Sequence, residues 1–144
     1  MDIEMSTDLN SQVYQDALAI RTAVFVKEQH VAPEREVDAD EAKATYFVAY
    51  DNGLAVATAR LLPEDYGYHV QRVAVAAPYR HHGVGKLLLE HLADFAEAHG
   101  ARELRLGAQV HALGFYKALG YELTARPEFL DAGIRHREMR LVFA

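Results

Sequence analysis

Positive charge and glycine are concentrated at residues 80–86, which read RHHGVGK. The apolar pattern that follows, KLLLEHLADFAEAHG, predicts an amphipathic helix that begins near Gly83 and ends at Gly100. Free N–H groups and the positive dipole end of a helix bind anions, and glycines let an anion approach the backbone. Side chains that add charge or hydrogen-bond donors stand beside the glycines: Arg80, His81, His82 and Lys86. The segment therefore predicts an anion site, and an ordinary helix start with a glycine N-cap is the alternative.

Two familiar phosphate loops are excluded by spacing. The P-loop needs glycine where Arg80 stands, and serine or threonine where Leu87 follows Gly85-Lys86. The dinucleotide fingerprint needs a small residue where Leu88 stands. The remaining prediction is that an anion binds at the start of this helix without either of these two motifs.

The elements before this segment are a helix and a set of strands. Apolar residues recur on one helix face at Val13, Ala17, Ile20 and Val24, with Thr7 or Asp8 as the expected N-cap. The acidic run from Glu34 to Glu41 is expected to be a solvated loop. Two strands then meet at Asn52-Gly53, a pair typical of tight hairpin turns, and YHVQRVAVAA continues as a third strand.

The elements after residue 100 are shorter. RELRLGAQ predicts a strand, HALGFYKAL a short helix closed by Gly120, and YELTA and IRHREMRLVF two further strands. This order predicts an α/β (α+β) fold: a mixed, mainly antiparallel twisted sheet flanked by helices, in a single domain over residues 1–144. The last strand, Ile134 to Phe143, is expected to form a sheet edge at which a homodimer could pair.

Composition restricts the function classes. The net charge of −6 argues against a nucleic-acid partner and is compatible with a cationic small molecule. The absence of cysteine excludes disulfides, thiolate metal sites and a cysteine nucleophile, and the histidine spacing predicts no metal site. The first ten residues, MDIEMSTDLN, lack the pattern of a signal peptide, and no apolar run reaches membrane-spanning length. We expect a cytoplasmic protein with no membrane partner.

The order of these motifs resembles a known enzyme family. Arg80 to Gly85 form Arg-x-x-Gly-x-Gly, preceded by the strand QRVAVAAPY and followed downstream by AQVHALGFYKALGYEL. Both segments resemble the acyl-CoA N-acyltransferases of the GNAT superfamily, in the order and at the separation usual for that family. The N-terminal IRTAVFVKEQ, followed by EVDADE, is similar to the ElaA-like branch of the superfamily.

The resemblance implies an acetyl-CoA co-substrate bound along two segments. Backbone N–H groups of the glycine-rich loop would hold the pyrophosphate, and the main chain of the preceding strand would pair with the pantetheine arm and polarise the thioester carbonyl. The implied cofactor-binding residues are Val73, Ala74, Val75, Arg80, His81, His82, Gly83, Val84, Gly85 and Lys86. Where the family often has asparagine seven residues before its general acid, this chain has Gln109, which is expected to contact the arm as well.

The resemblance also implies the catalytic residues. Tyr116 occupies the position of the family's general acid, which protonates the departing thiolate; a buried core tyrosine is the alternative. Glu28 and His111 are the candidate bases, because Glu28 lies in the acceptor-side segment and His111 lies close to Tyr116. For both, an ordinary solvated side chain is the alternative.

The expected function is transfer of an acetyl group from acetyl-CoA to a primary amine of a small molecule or peptide, by direct attack. A non-catalytic acyl-CoA-binding sensor or interaction module on the same fold is the alternative. The two differ at the acceptor end, about which the donor motifs say nothing.

Overall fold

An eight-stranded sheet carrying four helices makes up the chain, which a computed structural model describes over all 144 residues. The helices are α1 (Gln12–Arg21), α2 (Pro33–Glu36), α3 (Val84–Ala98) and α4 (Leu113–Ala118). The strands are β1 (Asp2–Ser6), β2 (Thr45–Asp51), β3 (Leu54–Glu64), β4 (Gly67–Val75), β5 (Glu103–Gln109), β6 (Glu122–Leu123), β7 (Phe129–Asp131) and β8 (Ile134–Val142). A π-helical stretch, Thr22–Glu28, extends α1. None of the helices combines the length and apolar composition needed to cross a bilayer.

The sheet has the order β1-β2-β3-β4-β5-β8-β6, and β7 also pairs with β8. All pairs are antiparallel except β4 and β5, which run parallel over three residue pairs from Gly67 to His69. The predicted mixed, mainly antiparallel sheet is confirmed. The prediction of a sheet edge at the last strand is wrong, because β8 lies between β5 on one side and β6 and β7 on the other.

Alternate side chains of β2 point to opposite faces of the sheet, and each face carries its own apolar core. Tyr46 and Val48 pack with α1, where they meet Tyr14, Ala17 and Ile20. Phe47 and Ala49 point to the opposite face and pack with the apolar stripe of α3, made of Leu88, Leu89 and Leu92. This division follows from the two-residue period of a strand set against the 3.6-residue period of the helices.

The first helix starts later than the sequence predicts. Its N-cap is Ser11, whose Oγ accepts a hydrogen bond from the backbone N–H of Tyr14 at 3.2 Å. Asp8 belongs instead to the turn before the helix, where its Oδ1 accepts from the N–H of Asn10 at 2.8 Å. Thr7 and Asp8 were wrong predictions because all three side chains are good caps, and the turn geometry decides among them.

The acidic run is not the solvated loop that its composition predicts. Glu36 and Glu41 are 3% and 6% exposed, because each carboxylate pairs with the buried guanidinium of Arg21 at 2.8 Å. Glu41 also pairs with Arg60 of β3 at 2.8 Å. A run of carboxylates looks hydrophilic in sequence, and only the fold brings the arginines that neutralise it.

Candidate functional site

A single large cleft of about 760 Å³ opens where the pairing of β4 and β5 stops. Register between these strands ends at His69 and Arg105, so the later residues of β4 have no partner on β5. The π-helical stretch, the start of α3, the start of α4 and the β7–β8 hairpin form the other walls. The expected cofactor and catalytic residues line this cleft, with the exception of His82.

The start of α3 forms one end of the cleft. Gly83 is its N-cap, with φ +80°, and carries no side chain to satisfy the N–H groups of the first turn. A Cβ placed on Gly83 would meet no heavy atom within 4 Å, so the space in front of the helix is open. These free donors and this space fit a phosphate group. At Gly85 a Cβ would make ordinary contacts with Phe115 at 3.4 Å and Val75 at 3.5 Å, so packing alone does not require glycine there.

Arg80 ties the glycine-rich loop to both sides of the cleft. Its Nε donates to the carbonyl oxygen of Val75 at 2.9 Å, and its two terminal nitrogens donate to the two oxygens of Glu28 at 2.8 Å each. The Arg80 guanidinium holds the pKa of Glu28 below its usual range. A low pKa and a doubly engaged carboxylate favour Glu28 as an anchor for Arg80 over Glu28 as a proton acceptor.

Strand β4 carries a bulge beside the cleft. Thr58 and Arg60 of β3 pair with Ala74 and Gln71, so two residues of β4, Arg72 and Val73, lie opposite one residue of β3. Arg72 has φ +56°, a left-handed conformation that is costly for a side chain other than glycine. The main chain of Val73–Val75 follows the bulge and has no partner on β5, so an extended ligand could pair with it there.

A buried ionic network holds the bulge in place. Arg72 pairs with Glu36 at 3.3 Å and with Asp38 at 3.1 Å. Asp38 also pairs with Arg60 at 2.9 Å, and Arg60 continues the network to Glu41. Arg72, the strained residue of β4, is therefore held by two carboxylates that also pair with Arg21 and Arg60. Sequence reasoning missed this network.

Tyr116 lies in the wall of the cleft between the open gap and the core. It is 8% exposed, and its ring meets Phe115 and Tyr121 edge to face, with centroids 5.1 Å and 5.7 Å away. Burial raises the pKa of Tyr116 to about 12, so its hydroxyl stays protonated at neutral pH. A protonated hydroxyl facing the cleft can donate a hydrogen to an anion that forms there.

Two other predicted residues lie on the turn between β5 and α4. Gln109 donates from Nε2 to the side-chain oxygen of Gln29 at 3.1 Å, which links β5 to the end of the π-helical stretch. His111 is exposed at the rim of the cleft. The contact of Gln109 with a cofactor arm and the role of His111 as a base stay predictions.

The cleft is also lined by residues that sequence reasoning did not select. They come from β4, the segment before β7, β7 and β8, and comprise the aromatic Phe129 and four polar residues, His69, Arg126, His136 and Glu138. Their spacing in the sequence carries no motif, because sheet register alone brings them together. No group of three or more His, Cys, Asp or Glu side chains is arranged to hold a metal ion.

This fold and cleft coincide with one protein family. Residues 8–143 match the family described as "Acetyltransferase (GNAT) domain", so the chain belongs to the GNAT acyl-CoA N-acyltransferases. The "Uncharacterized N-acetyltransferase YjcF" of Bacillus subtilis is 38% identical over 130 residues, which cover 90% of this chain and 93% of that protein.

The resemblance to the ElaA-like branch is confirmed as well. Protein ElaA of Escherichia coli is 30% identical over 132 residues, covering 88% of this chain and 84% of ElaA. The crystal structure of an acyl-CoA N-acyltransferase from Pseudomonas aeruginosa superposes with a TM-score of 0.86 at 28% identity, covering 99% of this chain and 100% of that one.

Proposed function

We propose that the protein transfers the acetyl group of acetyl-CoA to a primary amine of a small molecule or peptide by direct attack. The observation that carries this proposal is that one cleft joins three parts: free N–H donors at the start of α3, unpaired backbone on β4, and a protonated tyrosine. The pyrophosphate, the extended pantetheine arm and the thiol leaving group of acetyl-CoA would contact these three parts in that order.

The donor would bind along the open side of β4. The N–H groups of the glycine-rich loop and of the first turn of α3 would hold the pyrophosphate, with Gly83 leaving the approach clear. The main chain from Val73 to Val75 would pair with the pantetheine arm as an added strand. An N–H in that segment would polarise the thioester carbonyl as the amine attacks its carbon.

Tyr116 would complete the reaction at sulfur. When the carbon–sulfur bond breaks, the sulfur takes the bonding electrons and accepts the hydroxyl proton of Tyr116. A proton that the attacking nitrogen loses as the amide forms restores the hydroxyl. Protons balance in this scheme. The ammonium form of the acceptor loses two protons, of which one ends on the CoA thiol and the other in the solvent.

The proposal is tested by thiol release from acetyl-CoA in the presence of polyamines, amino sugars, amino acids and peptide amines. We expect release that depends on one class of amine and saturates with it. Tight binding of acetyl-CoA with no amine-dependent release would contradict the proposal and identify a CoA-binding sensor. Equal affinity for acetyl-CoA and a nucleoside diphosphate would contradict the donor assignment.

Replacing Gly83 by valine is expected to weaken acetyl-CoA binding by at least about tenfold, which is 1.4 kcal/mol. The β-branched side chain occupies the open space before α3 and disfavours φ +80°. Isothermal titration calorimetry measures the affinity.

Gly100→Val is the matched control, because Gly100 has φ +82°, a Cβ there meets nothing within 4 Å, and it lies beyond the far end of α3. Both variants pay a similar backbone strain of about 1–2 kcal/mol. Equal affinities in the two variants would show that the space before α3 is not the pyrophosphate site.

A further inference from the structure

The proposed reaction leaves one chemical step without a residue. An alkyl ammonium with a pKa of about 10.4 is free base in less than about one part in a thousand at pH 7, a deficit of over 4 kcal/mol. A group in the acceptor end of the cleft that removes this proton would supply the largest missing contribution. Glu28 is engaged by Arg80, and His111 is held by no partner that would orient its ring.

His136 of β8 is oriented by its surroundings. Its Nδ1 lies 2.7 Å from the carbonyl oxygen of Ile134, and its ring stacks on Phe129 with centroids 5.6 Å apart and planes 22° from parallel. Because a carbonyl oxygen only accepts, Nδ1 carries the hydrogen, and in the neutral ring the lone pair is then on Nε2. The side chain is 8% exposed and lines the cleft.

The opposite strand leaves room beside the reactive edge of this ring. Gly107 of β5 faces His136 and Phe129, and a Cβ there would lie 3.1 Å from Phe129 and 3.8 Å from Cδ2 of His136. The tight approach is to the Phe129 ring, which stacks on His136, whereas Cδ2, which is bonded to Nε2, lies at ordinary contact distance. A glycine in the middle of a strand is unfavourable by itself and here permits a close approach.

Register places His136 at the reacting end of the cleft. It pairs with Gln109, the last residue of β5 before the turn that leads to Tyr116. His69 is a half-buried histidine that also lines the cleft, and desolvation lowers its pKa. His69 pairs with Arg105, four residues earlier on β5, which is about 13 Å along a strand. His69 therefore lies at the closed end, and His136 lies at the end that carries Tyr116.

The charged residues from β7, β8 and the segment before β7 that line the cleft with His136 are paired. Arg126 stacks over Phe129 at 3.8 Å and lies 3.8 Å from Glu138, which also accepts from the hydroxyl of Thr124 at 2.8 Å. Asp131 of β7 pairs with Arg35 of α2 at 3.4 Å. None of these groups forms a hydrogen bond with Nε2, so its lone pair is free to accept a proton.

We infer that His136 is the general base of the reaction, taking a proton from the acceptor ammonium at Nε2 while Nδ1–H stays bonded to Ile134. This inference rests on the proposed function. The proton moves to the imidazole, the freed nitrogen lone pair forms the bond to the acetyl carbon, and the imidazolium returns its proton to solvent. The acceptor is therefore an amine that enters the cleft as an ammonium ion over the face of the sheet where Gly107, Phe129 and His136 meet.

Two substitutions distinguish a general base from a residue that acts only through its hydrogen bond to Ile134. His136→Asn keeps an N–H donor close to the position of Nδ1 and removes Nε2, whereas His136→Gln places an amide near Nε2 and loses the donor to Ile134. We expect both variants to lower kcat/KM by about a hundredfold or more and to lose the acid limb of its pH profile. Affinity for acetyl-CoA should stay within twofold, which shows that the variants are folded. His91→Asn, at an exposed histidine of α3 outside the cleft, should match the wild type.

Each other outcome overturns the inference in a recognisable way. Wild-type kcat/KM in His136→Asn, with loss confined to His136→Gln, would show that the bond to Ile134 is what matters. An acid limb that survives both substitutions and disappears in His69→Asn would assign the base to His69. Turnover by the wild type that neither substitution lowers would refute the inference alone. Absence of turnover by the wild type with every amine would refute the proposed function itself, and the inference with it.

Discussion

Replacing Tyr116 by phenylalanine is expected to lower kcat by about a hundredfold or more and to leave the affinity for acetyl-CoA within twofold. The substitution removes only the hydroxyl that donates to the departing thiolate in the proposed reaction, and the ring keeps its contacts with Phe115 and Tyr121. Because the pKa of Tyr116 is about 12, loss of its proton should not lower kcat between pH 7 and 10 in the wild type. Steady-state kinetics and calorimetry provide the two quantities.

Tyr121→Phe is the matched control for this prediction. Tyr121 lies edge to face with Tyr116, is 4% exposed, and has a buried hydroxyl with no hydrogen-bond partner. Removing that hydroxyl should leave kcat unchanged and, if anything, stabilise the fold, since an unsatisfied buried polar group is unfavourable. Equal kcat values for Tyr116→Phe and the wild type would make Tyr116 a core tyrosine.

Replacing Glu41 by glutamine is expected to lower the free energy of unfolding at pH 7 by about 3–5 kcal/mol. The Glu41 carboxylate accepts from Arg21 at 2.8 Å and from Arg60 at 2.8 Å, and these guanidinium groups are 1% and 0% exposed. A neutral amide leaves two buried cations with less compensating charge. Urea unfolding measures the difference, and Glu97→Gln, on the exposed face of α3, should change it by less than about 0.5 kcal/mol.

The same carboxylate sets a pH dependence. Its hydrogen bonds with Arg21 hold the pKa of Glu41 well below its ordinary value, against the opposing effect of burial. The unfolded chain therefore takes up a proton more readily, and the stability that Glu41 supplies is complete above about pH 5 and is lost as the pH falls. The difference between wild type and Glu41→Gln should shrink below about pH 4. A difference that is independent of pH would show that the carboxylate does not act as a charge.

The residues proposed to bind the donor could be selected from the sequence because they lie close together in it. Anion binding at a helix start depends on the glycines and cations within residues 80–86, and Tyr116 lies in one short helix. The alternation of β2 and the apolar stripe of α3 likewise predict which faces are buried. These features need no knowledge of which strands pair.

The acceptor half and the ionic network depend on register and could not be predicted. His136, Phe129 and Gly107 meet because β7 and β5 both pair with β8, and no spacing in the chain expresses this. Arg21 did offer a signal, since it lies four residues after Ala17 on the buried side of α1. A charge on a buried helix face implies a buried partner, but not which of the five carboxylates between Glu34 and Glu41 supplies it.

The most direct test of the proposed reaction follows the acetyl group itself. Acetyl-CoA labelled with carbon-13 at the carbonyl is incubated with the protein and an acceptor amine, and its resonance is followed by NMR. If the proposed transfer occurs, an amide signal replaces the thioester signal at the rate at which free thiol appears. A thioester signal that persists, or that gives only free acetate, would contradict it.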